Sequence, residues 1–406
     1  NPDGGGFAIF AGLEQILEYI ENLHFDEEDI AYFRSLHIFT EDFLTYLKDF
    51  KFSGDIYAFR EGTIMYPNEP VITVVAPLID AQLIETALLA QVNHQSLIAT
   101  KTRRIVSAAE GRAVSDFGAR RAHNMDAAVY GARAAYIGGA VGTATVLAGQ
   151  MFDIPVSGTM AHSWVMYYKD EFEAFKHYAE NYPDGTVLLV DTYDVIGSGI
   201  PNAIRVAKEV LEPMGKRLKG IRIDSGDLAY LSKKVRRMLD DAGFEDAVIS
   251  ASNDLDEYLI QSLKSQGATI TSWGVGTNLI TSKDCPAFGG VYKLAAISDN
   301  DGNFIPKIKL SENTEKVTNP GNKTFYRIYD KENGKIKADL ICLADETFDV
   351  SEEMTLFDPN EPWKKTTLSG DSYTMTEMLV PVIQDGKRIY NTPSVMEIQR
   401  ICNAQK

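Results

Sequence analysis

The stretch Ile154–Ser163, IPVSGTMAHS, has the order strand, turn and helix on which the fold of this chain depends. Ile154–Val156 is short and apolar, as expected of a buried strand, and the Ser-Gly pair that follows supplies a bend. Thr159 offers a capping hydroxyl for a helix that we expect to begin near Met160. The stretch therefore predicts one strand–helix unit of an α/β protein.

His162 would project from the start of that helix, at the carboxyl end of the strand. Barrel and open α/β enzymes place their sites at this end of the sheet. A helix N-terminus also favours negative charge, and its free N–H groups suit phosphate. The position predicts a histidine beside a phosphate, although a hydrogen-bonded structural histidine is the alternative, because one histidine does not define a site.

Similar units of strand and helix alternate through the middle of the chain. Strands are predicted at Ala113–Phe117, Ile154–Val156, Val187–Asp191, Gly220–Ile223, Ala247–Ala251, Ile270–Val275 and Tyr292–Ile297. Helices are predicted at Asp126–Tyr136, Thr143–Met151, Trp164–Asn181, Ile200–Met214, Ser225–Ala242 and Asp256–Gln266. Such alternation predicts a parallel sheet with right-handed crossovers. Six or seven units favour an irregular α/β (TIM-like) barrel over an open sheet.

The two ends of the chain have a different pattern. Three short helices are predicted before residue 51, short antiparallel strands between residues 52 and 77, and a long helix at Leu78–Glu110. Short strands return at Phe304–Leu310, Lys323–Asp330 and Lys335–Leu343. We therefore expect residues 1–78 and 299–406 to form one α+β domain, with the barrel, residues 79–298, inserted between them.

Composition limits the classes of function. The chain has 406 residues, 45% of them hydrophobic and 24% charged, as in soluble globular proteins, and a net charge of −17. This charge disfavours nucleic-acid binding, which needs clustered cations. The uncharged run Ala134–Phe152 contains several glycines and threonines, so we interpret it as buried rather than as a membrane span. Three scattered cysteines favour a reduced, cytoplasmic location, and the lack of an initial Met indicates a true start upstream.

Four further strand ends carry polar or glycine-rich sequences. In SDFGARR, residues 115–121, Arg120 can pair with phosphate or carboxylate, and Phe117 offers a flat face for a stacked ring. In LLVDTYDVIGSG, residues 188–199, Asp191 and Asp194 follow an apolar strand and can orient a histidine, bind Mg²⁺ or hold ribose hydroxyls. The alternatives are a core phenylalanine, a surface ion pair and, for Asp194, simple helix capping.

The other two strand ends lie further along the chain. In GIRIDSGDL, residues 220–228, Arg222 and Asp224 alternate with isoleucines and so point to one side of a strand, where they suit a carboxylate ring and a ribose or form a structural pair. In SWGVGTNLIT, residues 272–281, Gly276 before Thr277 allows close approach of a phosphate. Sequence signatures of a P-loop, a zinc site or a serine hydrolase are absent. Together, the strand ends favour transfer of a phosphorylated sugar.

In this order SDFGARR, VSGTMAHS, VDTYD, IRIDSGDL and WGVGTNL…GGVYKL (Trp273–Leu294) resemble the nicotinate phosphoribosyltransferase family. The resemblance runs from about Gly4 to Arg400. It implies an irregular α/β barrel beside a domain built from both chain ends. It also implies that nicotinate and 5-phosphoribosyl 1-pyrophosphate give nicotinate mononucleotide and pyrophosphate, a step of NAD biosynthesis with Mg²⁺ and coupled ATP hydrolysis. A homodimer with a shared site is implied as well.

The resemblance assigns roles to residues of this chain. His162 would be phosphorylated, and Asp191 would hold its ring and set its tautomer. The substrate contacts it implies are Phe117 stacking on the pyridine, Arg120 and Arg222 near phosphate and the nicotinate carboxylate, Asp224 on the ribose, Gly276 and Thr277 on the 5-phosphate, and Thr159, Ser163 and Ser252. Family members also bring a ring-stacking tyrosine from an N-terminal segment, which does not precede Asn1 here.

Ala144 separates two related activities. The similar nicotinamide phosphoribosyltransferases carry Asp at this position, where it accepts from the amide and would repel a carboxylate. Ala144 therefore favours nicotinate. The alternatives kept open are the nicotinamide enzyme and, from another class, a non-catalytic ligand-binding protein on the same fold. A quinolinate-type enzyme is disfavoured, since it would need more cations in its pocket.

Overall fold

The computed structural model describes residues 5–310, 318–358 and 361–405, so the start of the resemblance at Gly4 lies outside them. The helices are α1 Leu13–Asn22, α2 Glu27–Ser35, α3 Glu41–Lys48, α4 Leu78–Ala109, α5 Met125–Ile137, α6 Val146–Phe152, α7 His162–Tyr167, α8 Glu171–Asn181, α9 Ile200–Val206, α10 Leu228–Asp241, α11 Glu257–Ser265, α12 Thr277–Ile280 and α13 Val395–Ala404.

The strands are β1 Ala8–Ile9, β2 Asp55–Ala58, β3 Ile64–Met65, β4 Ile72–Val75, β5 Ala113–Asp116, β6 Gly142–Thr143, β7 Val187–Leu189, β8 Gly220–Ile223, β9 Val248–Ala251, β10 Ser272–Val275, β11 Ala296–Ser298, β12 Phe304–Pro306, β13 Lys323–Asp330, β14 Ile336–Leu343, β15 Met354–Phe357, β16 Lys365–Leu368, β17 Tyr373–Glu377, β18 Val380–Gln384 and β19 Lys387–Arg388.

A curled parallel sheet of six strands, in the order β6-β5-β10-β9-β8-β7, forms the centre of the strand–helix region. All of its pairs are parallel, and Ser115 lies beside Gly274 where β5 meets β10. Ile154–Val156, predicted as a strand, contributes a single parallel bridge from Val156 to Thr143. The predicted α/β class with an irregular barrel-like sheet is confirmed.

Apolar residues of these strands form the core. Leu188 and Leu189 of β7 and Trp273 of β10 are 0% exposed. On β8, Ile221 and Ile223 are buried, while Arg222 between them is only partly buried, because successive side chains of a strand point to opposite faces. Burial of each large apolar side chain contributes about 1.5–3 kcal/mol, and this burial fixes which way Arg222 points.

The segment after Val156 differs from the expectation. Helix α7 begins at His162, and the residue at its cap position is Ala161, with extended backbone and no capping side chain. The prediction that Thr159 caps a helix from Met160 is wrong, because the chain stays non-helical through Ala161 and the hydroxyl of Thr159 contacts only the Met160 carbonyl, at 3.4 Å. The predicted helix Trp164–Asn181 is two helices, since Asp170 accepts from the backbone N–H of Glu173 and starts α8.

Two other predicted elements are corrected. The helix predicted at Thr143–Met151 begins at Val146, because Gly142–Thr143 pairs with β5. Glycine is required at 142, where a Cβ would lie 2.6 Å from the Pro155 carbonyl oxygen. The strand predicted at Tyr292–Ile297 is instead Ala296–Ser298, and the Tyr292 hydroxyl donates to the carbonyl of Ala81.

The chain divides into two compact units. One contains Gly12–Asn93 and Gly289–Thr392, with the four-stranded sheet β19-β18-β2-β4 and the three-stranded sheet β14-β13-β17. The other contains His94–Phe288 with the parallel sheet, together with Pro393–Lys406. The boundaries drawn from the sequence after residues 78 and 298 stay predictions. No helix within the described residues is long and apolar enough to cross a membrane.

Candidate active site

Each strand of the parallel sheet is followed within two residues by a side chain or glycine that the sequence marked for the site. These residues are Phe117 after β5, Ala144 after β6, Asp191 after β7, Asp224 after β8, Ser252 after β9 and Gly276 after β10. Because the strands are parallel neighbours, their carboxyl ends form one edge. The fold therefore gathers six of the predicted residues along a single edge of the sheet.

The ring of His162 lies among polar groups at this edge. Its Nδ1 is 3.1 Å from the hydroxyl oxygen of Thr192. Its Nε2 is 3.6 Å from Asp224 Oδ2 and 3.9 Å from Asp191 Oδ1. The side chain is 38% exposed, so the ring is accessible to a ligand and does not belong to the apolar core.

Asp191 is buried, with a side chain 1% exposed. Its Oδ2 accepts from the backbone N–H of Asp224 at 3.0 Å and from the hydroxyl of Ser225 at 2.6 Å. Its Oδ1 has no hydrogen-bond partner within the described part of the chain and faces His162. The distance of 3.9 Å is too long for a hydrogen bond, so the holding role assigned to Asp191 stays a prediction.

The two carboxylate oxygens of Asp224 have different surroundings. The hydroxyl of Ser252, a buried residue, donates to Asp224 Oδ1. Asp224 Oδ2 lies 3.6 Å from His162 Nε2, and the side chain is 34% exposed. Ser252 therefore orients Asp224, and one carboxylate oxygen remains available to a ligand.

Arg222 carries a positive charge that its surroundings compensate only in part. Its Nη2 donates to the Met160 carbonyl at 3.3 Å, and its Nε is buried without a partner in the described chain. Burial lowers the pKa of Arg222, while Asp224 and Asp191 act in the opposite direction. Arg120, which is exposed, lowers the pKa of Arg222 further, because like charges repel. A cation in these surroundings suits an anionic ligand.

The ring of Phe117 packs against bare backbone. A Cβ at Gly274 would lie 2.4 Å from Phe117 Cδ2, so only glycine fits beneath the ring. The buried carboxylate of Asp116 accepts from Gly118 N–H and from the hydroxyl of Thr143, and burial raises its pKa. This anchored loop presents a half-buried aromatic face at the edge.

Four remaining predicted residues have separate surroundings. Thr277 begins the four-residue helix α12 directly after Gly276. Thr159 is half-buried and lines a cavity of about 820 Å³ together with Tyr178 and Tyr182, and Ser163 is exposed on α7. Asp194 accepts from the N–H groups of Ile196 and Gly197, so its capping interpretation is confirmed. The substrate roles of Thr159, Ser163 and Thr277 stay predictions.

Sequence reasoning missed three groups of the network, namely the hydroxyls of Thr192 and Ser225 and the carbonyl of Met160. Thr192 and Ser225 each follow a predicted aspartate directly, in VDTYD and IDSGD. A hydroxyl beside a site carboxylate was the available signal. The carbonyl of Met160 had none, because any residue type supplies one.

Metal binding by protein side chains alone is not supported in the described residues, since they contain no group of three or more His, Cys, Asp or Glu that could hold an ion. Asp191 Oδ1, buried and unpartnered, and the exposed oxygen of Asp224 are nevertheless suitable oxygen ligands. Mg²⁺ is usually bound by one or two carboxylates together with substrate phosphates. The residues present therefore fit a metal that arrives with a phosphorylated substrate.

Models of three protein-family domains match nearly the whole chain. They are the nicotinate phosphoribosyltransferase N-terminal domain at residues 1–93, the nicotinate phosphoribosyltransferase family at residues 112–319 and its C-terminal domain at residues 322–406. A nicotinate phosphoribosyltransferase of Bacillus subtilis is 49% identical over 401 residues, which are 98% of this chain and 80% of that protein. Another, of Mycobacterium tuberculosis, is 40% identical over 96% of this chain and 76% of its own length.

The fold is shared with the crystal structure of human nicotinic acid phosphoribosyltransferase, with a TM-score of 0.85 and 26% identity over 99% of this chain and 86% of that one. The curled parallel sheet carries polar residues at the carboxyl ends of its strands, and the fold is shared with this enzyme. These two features define the class of protein as a phosphoribosyltransferase, which is an enzyme. With the family models and the two relatives, the chain belongs to the nicotinate phosphoribosyltransferase family, and the resemblance seen in its motifs is confirmed.

Proposed function

We propose that this protein joins nicotinate to 5-phosphoribosyl 1-pyrophosphate, giving nicotinate mononucleotide and pyrophosphate, and couples the reaction to ATP hydrolysis in NAD biosynthesis. The observation that carries the proposal is the position of His162, between two carboxylates and a hydroxyl at the edge of the sheet. The names of the related proteins support the same substrates.

His162 is the proposed acceptor of the phosphoryl group of ATP. Asp224 and Asp191 both face Nε2, so they stabilise the tautomer with its proton on that nitrogen. Nδ1 then keeps its lone pair and is the nucleophile. A base is not needed for this step, because Nδ1 carries no proton to lose.

The pyridine ring is proposed to stack on Phe117, with its carboxylate directed to Arg222 and Arg120. Among the described residues, Arg222 Nε is a buried donor without a partner, and a carboxylate would satisfy that donor and complete the compensation of the charge. Ala144, exposed directly after β6, places no negative charge at the same edge. This arrangement favours nicotinate over nicotinamide.

Asp224, held by Ser252, is proposed to bind the ribose hydroxyls, and Gly276 with Thr277 the 5-phosphate. Displacement at the ribose passes through an oxocarbenium-like state with a departing pyrophosphate. The protein contributes by positioning the two substrates and by stabilising charge that develops at the edge. Mg²⁺, held by Asp191 and Asp224 with the phosphates, would supply charge neutralisation.

A homodimer with a shared site is proposed from the resemblance, and exposed apolar side chains are available for its interface. Met125, Val146, Tyr167 and Tyr193 are 62–84% exposed and lie in the segments that follow β5, β6, Val156 and β7. Exposed apolar side chains of this size are candidates for an interaction surface. A cytoplasmic location is proposed because all three cysteines are free. Light scattering after size-exclusion chromatography tests the dimer.

The activity is tested by incubating the protein with ATP, Mg²⁺, 5-phosphoribosyl 1-pyrophosphate and either nicotinate or nicotinamide. We expect mononucleotide and pyrophosphate from nicotinate, with ADP formed in step. His162→Ala should remove the stimulation by ATP, lowering the rate by roughly 10²–10³-fold while slow transfer persists. Stimulation by ATP that survives this change contradicts the phosphohistidine, and absence of pyrophosphate from the unaltered protein contradicts the enzyme altogether.

A further inference from the structure

We infer that Thr192 is the positioning residue for phosphorylation of His162. Its hydroxyl donates to Nδ1 in the resting enzyme and then to a phosphoryl oxygen once the ring is phosphorylated. The inference rests on the proposed function, because it names the group that prepares the same histidine. It is carried by the contact of 3.1 Å between Nδ1 and the Thr192 hydroxyl.

Hydrogen bonds on both sides hold Thr192 in place. Before it, Asp191 accepts from Asp224 N–H and from the Ser225 hydroxyl. After it, the carboxylate of Asp194 accepts from the N–H groups of Ile196 and Gly197. With its neighbours fixed in this way, the hydroxyl is presented to the ring without a large loss of entropy on reaction.

The direction of the hydrogen bond follows from the other face of the ring. A threonine hydroxyl can donate or accept, and a neutral imidazole has one nitrogen of each kind. Because Asp224 Oδ2 and Asp191 Oδ1 lie 3.6 and 3.9 Å from Nε2, the proton is favoured there. Nδ1 is then an acceptor, and Thr192 must donate to it.

The chemical step balances with this assignment. The lone pair of Nδ1 forms the bond to the γ-phosphorus of ATP, the bond from that phosphorus to the bridging oxygen breaks, and ADP leaves with its electron pair. The proton on Nε2 remains between the ring and the two carboxylates. The Thr192 hydroxyl, displaced from Nδ1, donates to an oxygen of the phosphoryl group that now occupies its place. The first position orients the ring with its lone pair toward the place that the phosphorus will take, and the second stabilises the phosphoryl group after it arrives.

The test compares Thr192→Val, which replaces the hydroxyl by a methyl group, with Thr192→Ser, which keeps it. Single-turnover incubation with γ-labelled ATP and Mg²⁺ measures the rate at which acid-labile phosphate appears on the protein. We expect a fall of roughly 10- to 100-fold for Val, the loss expected of a hydrogen bond to a charged group, and a rate within about threefold of the original for Ser. Thr45→Val, which removes a hydroxyl bonded to a carbonyl on the surface helix α3, is the matched control.

Thermal unfolding of each variant accompanies the rates, and Thr192→Ala, which cannot crowd the ring, must be as slow as Val. Labelling of Val and Ala at the original rate overturns the inference, and so does a Ser variant as slow as Val with an unchanged melting temperature. A protein that takes no label, or His162→Ala labelled like the original, instead shows that the proposed function has failed and the inference with it.

Discussion

Arg222 and Arg327 are both arginines that the fold removes from water, but their surroundings differ. Arg327 has a side chain 0% exposed, pairs with Asp339 through Nε at 2.9 Å and donates to the Ile64 carbonyl at 2.8 Å. Burial lowers the pKa of Arg327, but Asp339 and Glu69 raise it by more, so the pKa of Arg327 is raised above its ordinary value. For Arg222 the effect of burial is the larger one, so its pKa is lowered below the ordinary value.

The difference shows how a structural charge is told from one that awaits a ligand. The protein itself supplies the counter-charges of Arg327, and their hydrogen bonds join β13, β14 and the segment around Ile64. Arg222 retains a buried donor without a partner among the described residues, at the edge where His162 and Asp224 meet. Uncompensated charge is unfavourable for folding, so its persistence at the edge of a sheet points to use by a substrate.

The largest expected effect is on the free energy of unfolding and comes from removing the compensated cation, Arg327. Arg327→Met leaves the carboxylate of Asp339 without its cation, and breaking a buried pair costs about 3–5 kcal/mol. Urea denaturation should show this loss in the free energy of unfolding. Arg34→Met, which removes an exposed arginine paired with Glu41, is the control and should change it by less than about 1 kcal/mol. Equal losses for Arg327→Met and Arg34→Met would contradict a structural role for the buried charge of Arg327.

Arg222→Ala should affect function and leave stability nearly unchanged, because no carboxylate forms a short hydrogen-bonded pair with this arginine in the described structure. We expect the Michaelis constant for nicotinate to rise roughly 10- to 100-fold, the equivalent of charged hydrogen bonds, with that for ATP much less affected. Arg222→Lys should be intermediate, since it keeps the charge without the planar fork. An equal rise for nicotinate and ATP argues against the assignment.

Glu69 gives a pH test of the compensated cluster. Burial, followed by a hydrogen bond with Asp339, raises the pKa of Glu69 from an ordinary value of 4.5 to about 8. A raised pKa in the folded state means that the stabilising contribution is complete below the unfolded value and is lost as the pH rises through about 8. The unfolding free energy should therefore fall relative to Glu69→Gln by about 1–2 kcal/mol between pH 7 and 9. Parallel curves for the two proteins would refute the raised pKa.

The smallest expected effect comes from adding a negative charge after β6, at the same edge of the sheet, rather than from removing a charge. Ala144→Asp places a carboxylate at the edge where we propose that the nicotinate carboxylate binds. We expect kcat/KM for nicotinate to fall by roughly threefold to tenfold relative to nicotinamide, as expected of a partly exposed like-charge contact. Ala144→Asn is the control of the same size without charge. Unchanged relative kinetics for acid and amide would count against the selectivity proposed for Ala144.

The sequence predicted those structural features that depend on residues close together in the chain. Gly220–Ile223 and Lys323–Asp330 were predicted with the bounds that the structure shows, because alternating apolar residues and flanking turns define a strand locally. The positions that follow the six parallel strands were largely found for the same reason, since a polar residue after a buried strand is visible in sequence.

Contacts between distant segments could not be predicted in this way. Thr192 lies 30 residues from His162 in the chain, and although its place after Asp191 in VDTYD marks it as close to the site, the sequence does not show that its hydroxyl contacts His162. The cap at Thr159 failed because a single bridge at Val156 keeps the following backbone extended, a tertiary effect that overrides local preference. The backbone carbonyl that receives Arg222 has no sequence signature at all.

The glycine beneath Phe117 limits how the aromatic face proposed for the pyridine ring can be altered. The Phe117 ring packs on the backbone of Gly274, where an added Cβ would lie 2.4 Å from the ring. The absence of a side chain at Gly274 therefore sets the position of the ring. A larger residue at 274 would push the Phe117 ring outward and leave less room for any ligand that stacks on it. A design that accepts larger ligands should therefore replace Phe117 by a smaller residue and keep Gly274.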